Sequence, residues 1–348
     1  MGKPSLAGPF EAKDVFLLRA PLAPGSEGIS LPHGAGGGPR DLPACARLLA
    51  SVPANSALSE ALALASPSLS AMIRRVAERG ADAVKAGQLR RAALAVLRYD
   101  IRMRTRPTPF GLFAGVATGQ FDSAAKVERG PAHSTRTHAD MQWLTRIVHR
   151  LESDPAVLST LTVQAHQALV HRGDRLVLTS PSTQGVRPGE SGEGRSVVSL
   201  RRTPLVEQAV AESRSPLPYE DLVRLTTAAF PAAPAERVRA LLAELVRQEI
   251  LITGLRPPLD GGDPLSHVLS ILARAEHPSP GTREVRDALL TVDRERRAYD
   301  ERPVGEGGEQ LDSLLAAARS VEPDDTPVHI DTRLDAALHL PYEVREVI

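Results

Sequence analysis

The chain has 348 residues, 42% of them hydrophobic and 24% charged, which is enough apolar material for a packed core and excludes wholesale disorder; the length fits two or three packed units. Lys+Arg 42 against Asp+Glu 42 leaves no net charge, which argues against a globally basic nucleic-acid coat but leaves room for a local patch. A lone cysteine, Cys45, excludes a disulfide framework and any multi-cysteine metal or iron–sulfur centre, and within DLPACARLLA it reads as a buried thiol.

Residues 14–19, DVFLLR, read as a first strand that breaks at Pro21. Residues 24–40 form a Gly/Pro-rich loop. Its run Gly34–Gly38 lacks the spacing of a phosphate cradle, and Pro39 stands where a helix should open. Helices then dominate to about residue 104. Asn55 or Ser56 caps one through Leu64, and Ser66 with Pro67 opens the next, which stops at Gly80. A longer helix covers 88–104. Leu94, Leu97 and Ile101 share one face; Arg91, Arg98 and Arg102 share another, within about 40° of one another. Pro107 and Pro109 end that helix, and a turn-rich strand follows through Phe121.

Residues 139–151 return to helix, with Trp143 read as core. Residues 167–180 and 195–203 read as paired strands, the first with its own turn at Arg172–Asp174, joined by a long polar connection. Helices at 204–213, 217–228 and 234–248, then a strand at 249–255, complete a strand–helix–helix–helix–strand pattern, that of a winged helix. Beyond a Pro257–Pro264 linker come helices at about 264–276, 282–299 and 309–320, and VHIDTRL at 328–334 alternates like a strand. The fold class expected is α+β, mixed helix and strand with an internal winged-helix element. The ten histidines show no metal-ligand spacing: His133 and His138 sit in a polar loop, and His166 and His171 flank a strand turn. No apolar run is long enough to span a bilayer, and the N-terminus lacks the apolar stretch of a secretory signal, so the expected location is the cytoplasm.

Between Lys85 and Phe110 stand seven basic residues, Lys85, Arg90, Arg91, Arg98, Arg102, Arg104 and Arg106, and one acid, Asp100. On its own this excess reads as a solvated face before it reads as a nucleic-acid site. The same region, LRYDIRMRTRPTPFGLFAGVATG at 97–119, closely resembles the signature of the lantibiotic dehydratases, the LanB-type enzymes. Supporting matches come in the family's order: FLLRAP with Arg19, THADMQWL with Asp140, SVVSLRRTPLVEQAV ahead of the helical triplet, and VHIDTRL with Asp331.

The resemblance implies dehydration of Ser and Thr in a ribosomal precursor peptide. Glutamate is first moved from glutamyl-tRNA onto the side-chain hydroxyl and is then eliminated, leaving a dehydroamino acid. A hydroxyl is a poor leaving group, and acylation converts it into a carboxylate. The donor is already an ester, so no bound cofactor is expected beyond glutamyl-tRNA as co-substrate. In site residues, the resemblance implies glutamyl transfer at Arg19, Arg102, Arg106, Thr108, Asp140 and Asp331. It also points to tRNA phosphates at Arg91, Arg98 and Arg104, and leader-peptide docking by strand addition at the edge Ser196–Arg202, through Val197, Val198 and Leu200. Asp140 also reads as a plain helix cap.

The expected organisation is 1–160, the first part of a glutamylation domain; 161–257, the winged-helix leader-binding element; and 258–348, a truncated helical continuation. The resemblance spans nearly the whole chain but only the leading portion of such an enzyme. The expectation is therefore a fragment or split subunit that needs a second polypeptide. A non-catalytic leader-binding module and an inactive remnant of a longer gene stand as alternatives.

Overall fold

A computed structural model of the protein describes residues 14–23, 25, 28–29, 41–179, 197–259, 262–274 and 279–345. The chain divides into two compact units, neither continuous in sequence. One takes Met1–Thr137, Arg297–Asp312 and Ile330–Ile348; the other takes His138–Arg296 and Ser313–His329. Boundaries are expected at 160 and 257, whereas the compact units are interleaved. The reason is that strands near residue 330 return to a sheet begun by residues 15–21.

The first unit opens with β1 (Val15–Pro21), then α1 (Leu42–Ser51), α2 (Ser56–Ala65), α3 (Pro67–Arg79) and α4 (Ala86–Thr105). Local chemistry sets the helix limits. Asp41 accepts a hydrogen bond from the Ala44 amide to start α1, and Asn55 does the same for Leu58 at α2. Gly80, at φ +80°, ends α3. Cys45 is fully buried in α1, where burial pushes its thiol up. In α4 the buried stripe is Leu89, Ala92, Ala93, Val96, Asp100 and Met103. It is not the expected Leu94–Leu97–Ile101 face, of which Ile101 is 58% exposed. An aspartate inside the core stripe hid the true face. Asp100 is accommodated there because Arg104 forks onto it at 2.9 to 3.1 Å and the Ile29 amide donates to it at 3.1 Å.

After α4 come β2 (Ala114–Asp122), β3 (Lys126–Arg129) and β4 (Ser134–Ala139). β4 corrects the polar-loop reading of His138, which lies in the strand, whereas His133 stands in the loop just before it. Thr135 and Thr137 are buried, and their hydroxyls, with the Thr137 amide, donate to the Asp300 carboxylate at 2.7 to 2.9 Å. Polar residues thus make a core-facing strand because one acid satisfies them.

The second unit runs through α5 (Met141–Glu152), α6 (Pro155–Leu158), β5 (Thr162–Ala165), β6 (Leu169–Arg172), β7 (Arg175–Leu178), β8 (Val198–Arg201), α7 (Pro204–Glu212), β9 (Leu217–Pro218), α8 (Tyr219–Ala229), α9 (Ala235–Arg247), β10 (Leu251–Thr253), α10 (Pro264–Leu272) and most of α11 (Pro280–Asp300) and α12 (Gly308–Val321), whose end and start belong to the first. Its core gathers Trp143, Leu144, Ile147, Leu222, Leu242 and Leu245, all at or near zero exposure. The Trp143 indole donates to the Glu322 carbonyl at 2.9 Å, so the ring is satisfied as well as buried. β6, β7 and β8 form an antiparallel meander, turned at Gly173 with φ +59°. A second small sheet runs β10-β5-β9. The two strands expected to flank the helical triplet therefore belong to different sheets. The Gly34–Gly38 run, Ser196 and most of the polar connection before it lie outside the described residues.

The chain ends its described course with β11 (Val328–Arg333), β12 (Ala336–Pro341) and α13 (Tyr342–Arg345). β11 and β12 follow one another along β2, both parallel to it, through Thr332↔Gly115 and His339↔Gln120. β1 pairs antiparallel with β2 over its whole length, from Val15↔Gln120 to Pro21↔Ala114. Gly119 is required where Phe16 crosses it: a Cβ there would stand 2.2 Å from the phenyl ring.

Candidate functional site

The signature segment folds into a reversal between α4 and β2. Arg106 caps α4, and Pro107 prevents its continuation. Gly111 adopts φ +50°, a left-handed conformation that favours glycine, and the Phe113 amide donates to the Phe110 carbonyl at 3.0 Å. The reversal carries the Phe110 ring back under α4. The Arg102 guanidinium lies 4.7 Å from its centroid. Phe110 stacks on Phe113 at 5.8 Å, and Phe113 on Tyr99 at 5.1 Å. Phe113 is fully buried, so the stack anchors a half-exposed cation to the core.

The two arginines on either side of Met103 are used differently. Arg104 is tied to Asp100, its side chain 9% exposed. Arg102 has a buried Nε with no hydrogen-bond partner among the described residues. A shallow groove of about 530 Å³ beside it is lined by Arg98, Tyr99, Ile101, Arg102, Thr105 and Arg106. Arg91, Arg98, Arg106 and Thr108 are exposed.

Three further contacts bring the start of β2 together with β1 and β11. The Leu22 amide donates to the Phe113 carbonyl at 3.1 Å, and the Ala23 amide to the Met103 carbonyl at 3.0 Å. The Thr332 hydroxyl donates to the Gly111 carbonyl at 2.9 Å. Arg19 lies three residues before Leu22, and Asp331 adjoins Thr332. The end of the sheet therefore gathers Arg19, Asp331 and the Arg102-bearing reversal within one unit. Both Arg19 and Asp331 are exposed, and each belongs to a strand whose alternate residues are buried or half-buried.

Asp140 belongs to the second unit. It caps α5, its Oδ1 accepting from the Gln142 and Trp143 amides at 2.8 and 2.9 Å. Its Oδ2 lies 2.7 Å from His329 Nε2. The cap reading is structural fact, and the second oxygen adds a hydrogen-bonding partner 189 residues away that no local pattern announces. A groove of about 760 Å³ there is lined by Asp140, Gln142, Arg146, Arg319, Asp324 and neighbours. Phe110 was likewise missed, since only the turn at Gly111 brings it to Arg102.

β8 takes the outer position of its sheet among the described residues. Val198 and Leu200 are half-buried on one face and Val197 is 51% exposed. Among the described residues no group of three or more His, Cys, Asp or Glu side chains is arranged to hold a metal ion, and no single helix is long and apolar enough to cross a membrane.

The family described as "Lantibiotic dehydratase, N terminus" matches residues 54–348, and the chain belongs to it. Among known relatives, the subtilin biosynthesis protein SpaB of Bacillus subtilis is 27% identical over 265 residues, 75% of this chain and 24% of SpaB. The epidermin biosynthesis protein EpiB of Staphylococcus epidermidis is 27% identical over 245 residues, 69% of this chain and 23% of EpiB. The crystal structure of the tRNA-dependent lantibiotic dehydratase MibB from Microbispora sp. 107891 superposes with a TM-score of 0.83 at 45% identity, over 97% of this chain and 30% of MibB. The glutamylation domain TbtB of thiomuracin biosynthesis shares the fold, with a TM-score of 0.56 at 19% identity, over 84% of this chain and 34% of that domain's chain. The chain thus spans about a quarter to a third of the length of each.

Proposed function

We propose that the chain supplies part of a glutamyl-transfer site, in an enzyme that moves glutamate from glutamyl-tRNA onto Ser and Thr of a ribosomal precursor peptide ahead of elimination. The observation that supports this reading is that hydrogen bonds tie the strand ends next to Arg19 and Asp331 to the reversal that brings Phe110 to Arg102. In the transfer the peptide hydroxyl oxygen attacks the ester carbonyl. The new ester forms as the ribose hydroxyl of the tRNA leaves, and the hydroxyl proton ends on that leaving oxygen. One ester replaces another, so no energy-rich nucleotide is required. Guanidiniums suit the step because they remain charged and fork onto carboxylates and phosphates. The likeness to MibB, a tRNA-dependent lantibiotic dehydratase, supports the same assignment.

Within the proposal, Arg102, Arg106 and Thr108 serve transfer, and Asp140 contributes through the carboxyl oxygen facing His329. Exposed Arg91 and Arg98 meet tRNA phosphates. Arg104 is held by Asp100 and secures the end of α4. The helical triplet α7–α9 with its small sheets serves as the winged-helix leader-binding element, and the leader adds as a strand to the edge of β8. The chain spans about a quarter to a third of its relatives, so these residues supply only part of the site.

The test is a reconstituted reaction of precursor peptide, glutamate, tRNA, glutamyl-tRNA synthetase and the complete dehydratase, read by mass spectrometry. Arg102→Ala and Arg106→Ala abolish glutamyl adducts while leader affinity, measured by calorimetry, survives. Val198→Pro does the reverse, losing leader affinity by removing a ladder donor. Adducts retained in both arginine variants overturn the transfer reading in favour of a non-catalytic leader-binding module. Adducts formed by this chain alone remove the need for a second polypeptide.

A further inference from the structure

Moving an acyl group from a ribose oxygen to a peptide hydroxyl requires one proton to change oxygens. Arginines do not carry it, because a guanidinium stays protonated, and a carboxylate is a weak base near neutral pH. An imidazole is matched to the task. Exposure alternates along β11, so His329 stands on the exposed face with Asp331. Two residues along a strand separate them by about 7 Å. The His329 ring is held from one side. Its Nε2 lies 2.7 Å from Asp140 Oδ2. Asp140 is fixed in turn: Oδ1 accepts from the Gln142 and Trp143 amides at 2.8 and 2.9 Å, and its own amide donates to the Pro327 carbonyl at 2.9 Å. A carboxylate only accepts, so Nε2 donates and the lone pair of the neutral ring sits on Nδ1. Nδ1 has no hydrogen-bond partner among the described residues, and the side chain is 67% exposed. An exposed pair of this kind adds little to stability, whereas it does aim an imidazole lone pair in a fixed direction.

We infer that His329 carries the proton in glutamyl transfer, with Asp140 as the positioning residue that sets its tautomer. The inference rests on the transfer reading proposed above. Nδ1 takes the proton of the Ser or Thr hydroxyl as that oxygen bonds to the ester carbonyl carbon. Asp140 stabilises the imidazolium that results. When the tetrahedral intermediate collapses, the bond to the ribose oxygen breaks and Nδ1 returns the proton to that oxygen. His329 ends neutral, and no further reactant is consumed. The rival carrier is the hydroxyl next to the ester on the terminal ribose, which the tRNA itself brings.

The test uses the complete dehydratase with saturating precursor peptide and glutamyl-tRNA, glutamyl adducts being followed over time by mass spectrometry. His329→Gln keeps a donor toward Asp140 and lowers kcat by about 100-fold or more, the scale of a positioned acid–base group, with the KM for peptide little changed. His329→Ala falls as far, and added imidazole restores part of the rate, since the vacated place is open to solvent. Asp140→Asn slows transfer when His329 is present and has no further effect in His329→Ala, because it acts through the ring. Thermal melting verifies that each variant is folded. An unchanged rate in folded His329→Gln gives the proton to the ribose hydroxyl and overturns the inference; the transfer reading stands if Arg102→Ala still abolishes adducts. A loss in His329→Ala that imidazole leaves untouched also overturns it, by assigning the ring to substrate binding. Adducts at the wild-type rate in both Arg102→Ala and Arg106→Ala overturn the transfer reading and the inference with it.

Discussion

Two sets of arginines live under opposite conditions. Three in the second unit are tied to carboxylates: Arg146 to Glu322 and Asp324, Arg256 to Glu152 and Glu249, Arg296 to Asp263 and Asp293. In the first, Arg19, Arg102, Arg106 and Arg333 have no carboxylate partner among the described residues. Both sets look alike in sequence. What separates scaffold from site is the neighbour, and Arg104 marks the boundary by following the scaffold rule only two positions from Arg102.

The sharpest way to break this contrast is to remove one arginine of each kind. Arg256→Ala removes the guanidinium from two buried carboxylates, Glu152 and Glu249, at 4% and 2% side-chain exposure. Losing one partner of a buried pair costs about 3–5 kcal/mol, which chemical denaturation reads directly. Arg19→Ala leaves an exposed strand position without stranding a partner and stays within about 0.5 kcal/mol of wild type. Equal losses would end the distinction.

A smaller effect sharpens the contrast at Asp140, which both caps α5 and meets His329. Asp140→Ala costs about 1 kcal/mol through the lost cap, whereas Asn is as good a cap as Asp. Asp140→Asn therefore melts near wild type and loses the charge beside His329. If transfer needs that charge, the Asn variant is folded and inactive; if it transfers normally, Asp140 is scaffold alone.

The smallest effect is pH dependence. Burial is the main cause that pulls both His133 and His166 below 6.5. Each Nδ1 also accepts a backbone amide at 3.0 Å, from Asp335 and Ala168, which an unprotonated nitrogen alone can do. The unfolded chain takes up these protons first as pH falls through about 6.5. This contribution to stability is therefore present above that pH and is lost as pH drops through the depressed folded values. Melting temperatures should decline from about pH 7.5 to 5, and His133→Gln should flatten the slope. A flat wild-type profile would refute the assignment.

Most helices and the pairing of β6, β7 and β8 were legible because caps, prolines and glycines mark their limits locally. β4 was not, since its buried threonines depend on Asp300, about 165 residues away. The face of α4 was misread because a buried aspartate looks like a surface residue until Arg104 and the Ile29 amide are seen on it. The signature motif drew attention to Arg102 and Arg106, but the contact of Phe110 with Arg102 depends on the turn at Gly111. The interleaved division of the chain was equally invisible, because sequence order says nothing about which late strands return to an early sheet.

That return also sets a clock. Thr332, which fastens β11 to the signature turn, is made 221 residues after Gly111. At ribosomal rates of about 5–20 residues per second the delay is roughly 11–44 s. Throughout it, β2 can pair with β1 on one side and has no β11 or β12 on the other. The emerging chain must carry an open strand edge in a crowded cell, a known invitation to wrong pairing. Asp331 and Arg333 arrive with the strand that closes it, so the exposed face of the sheet gains these two charges only when that edge is covered.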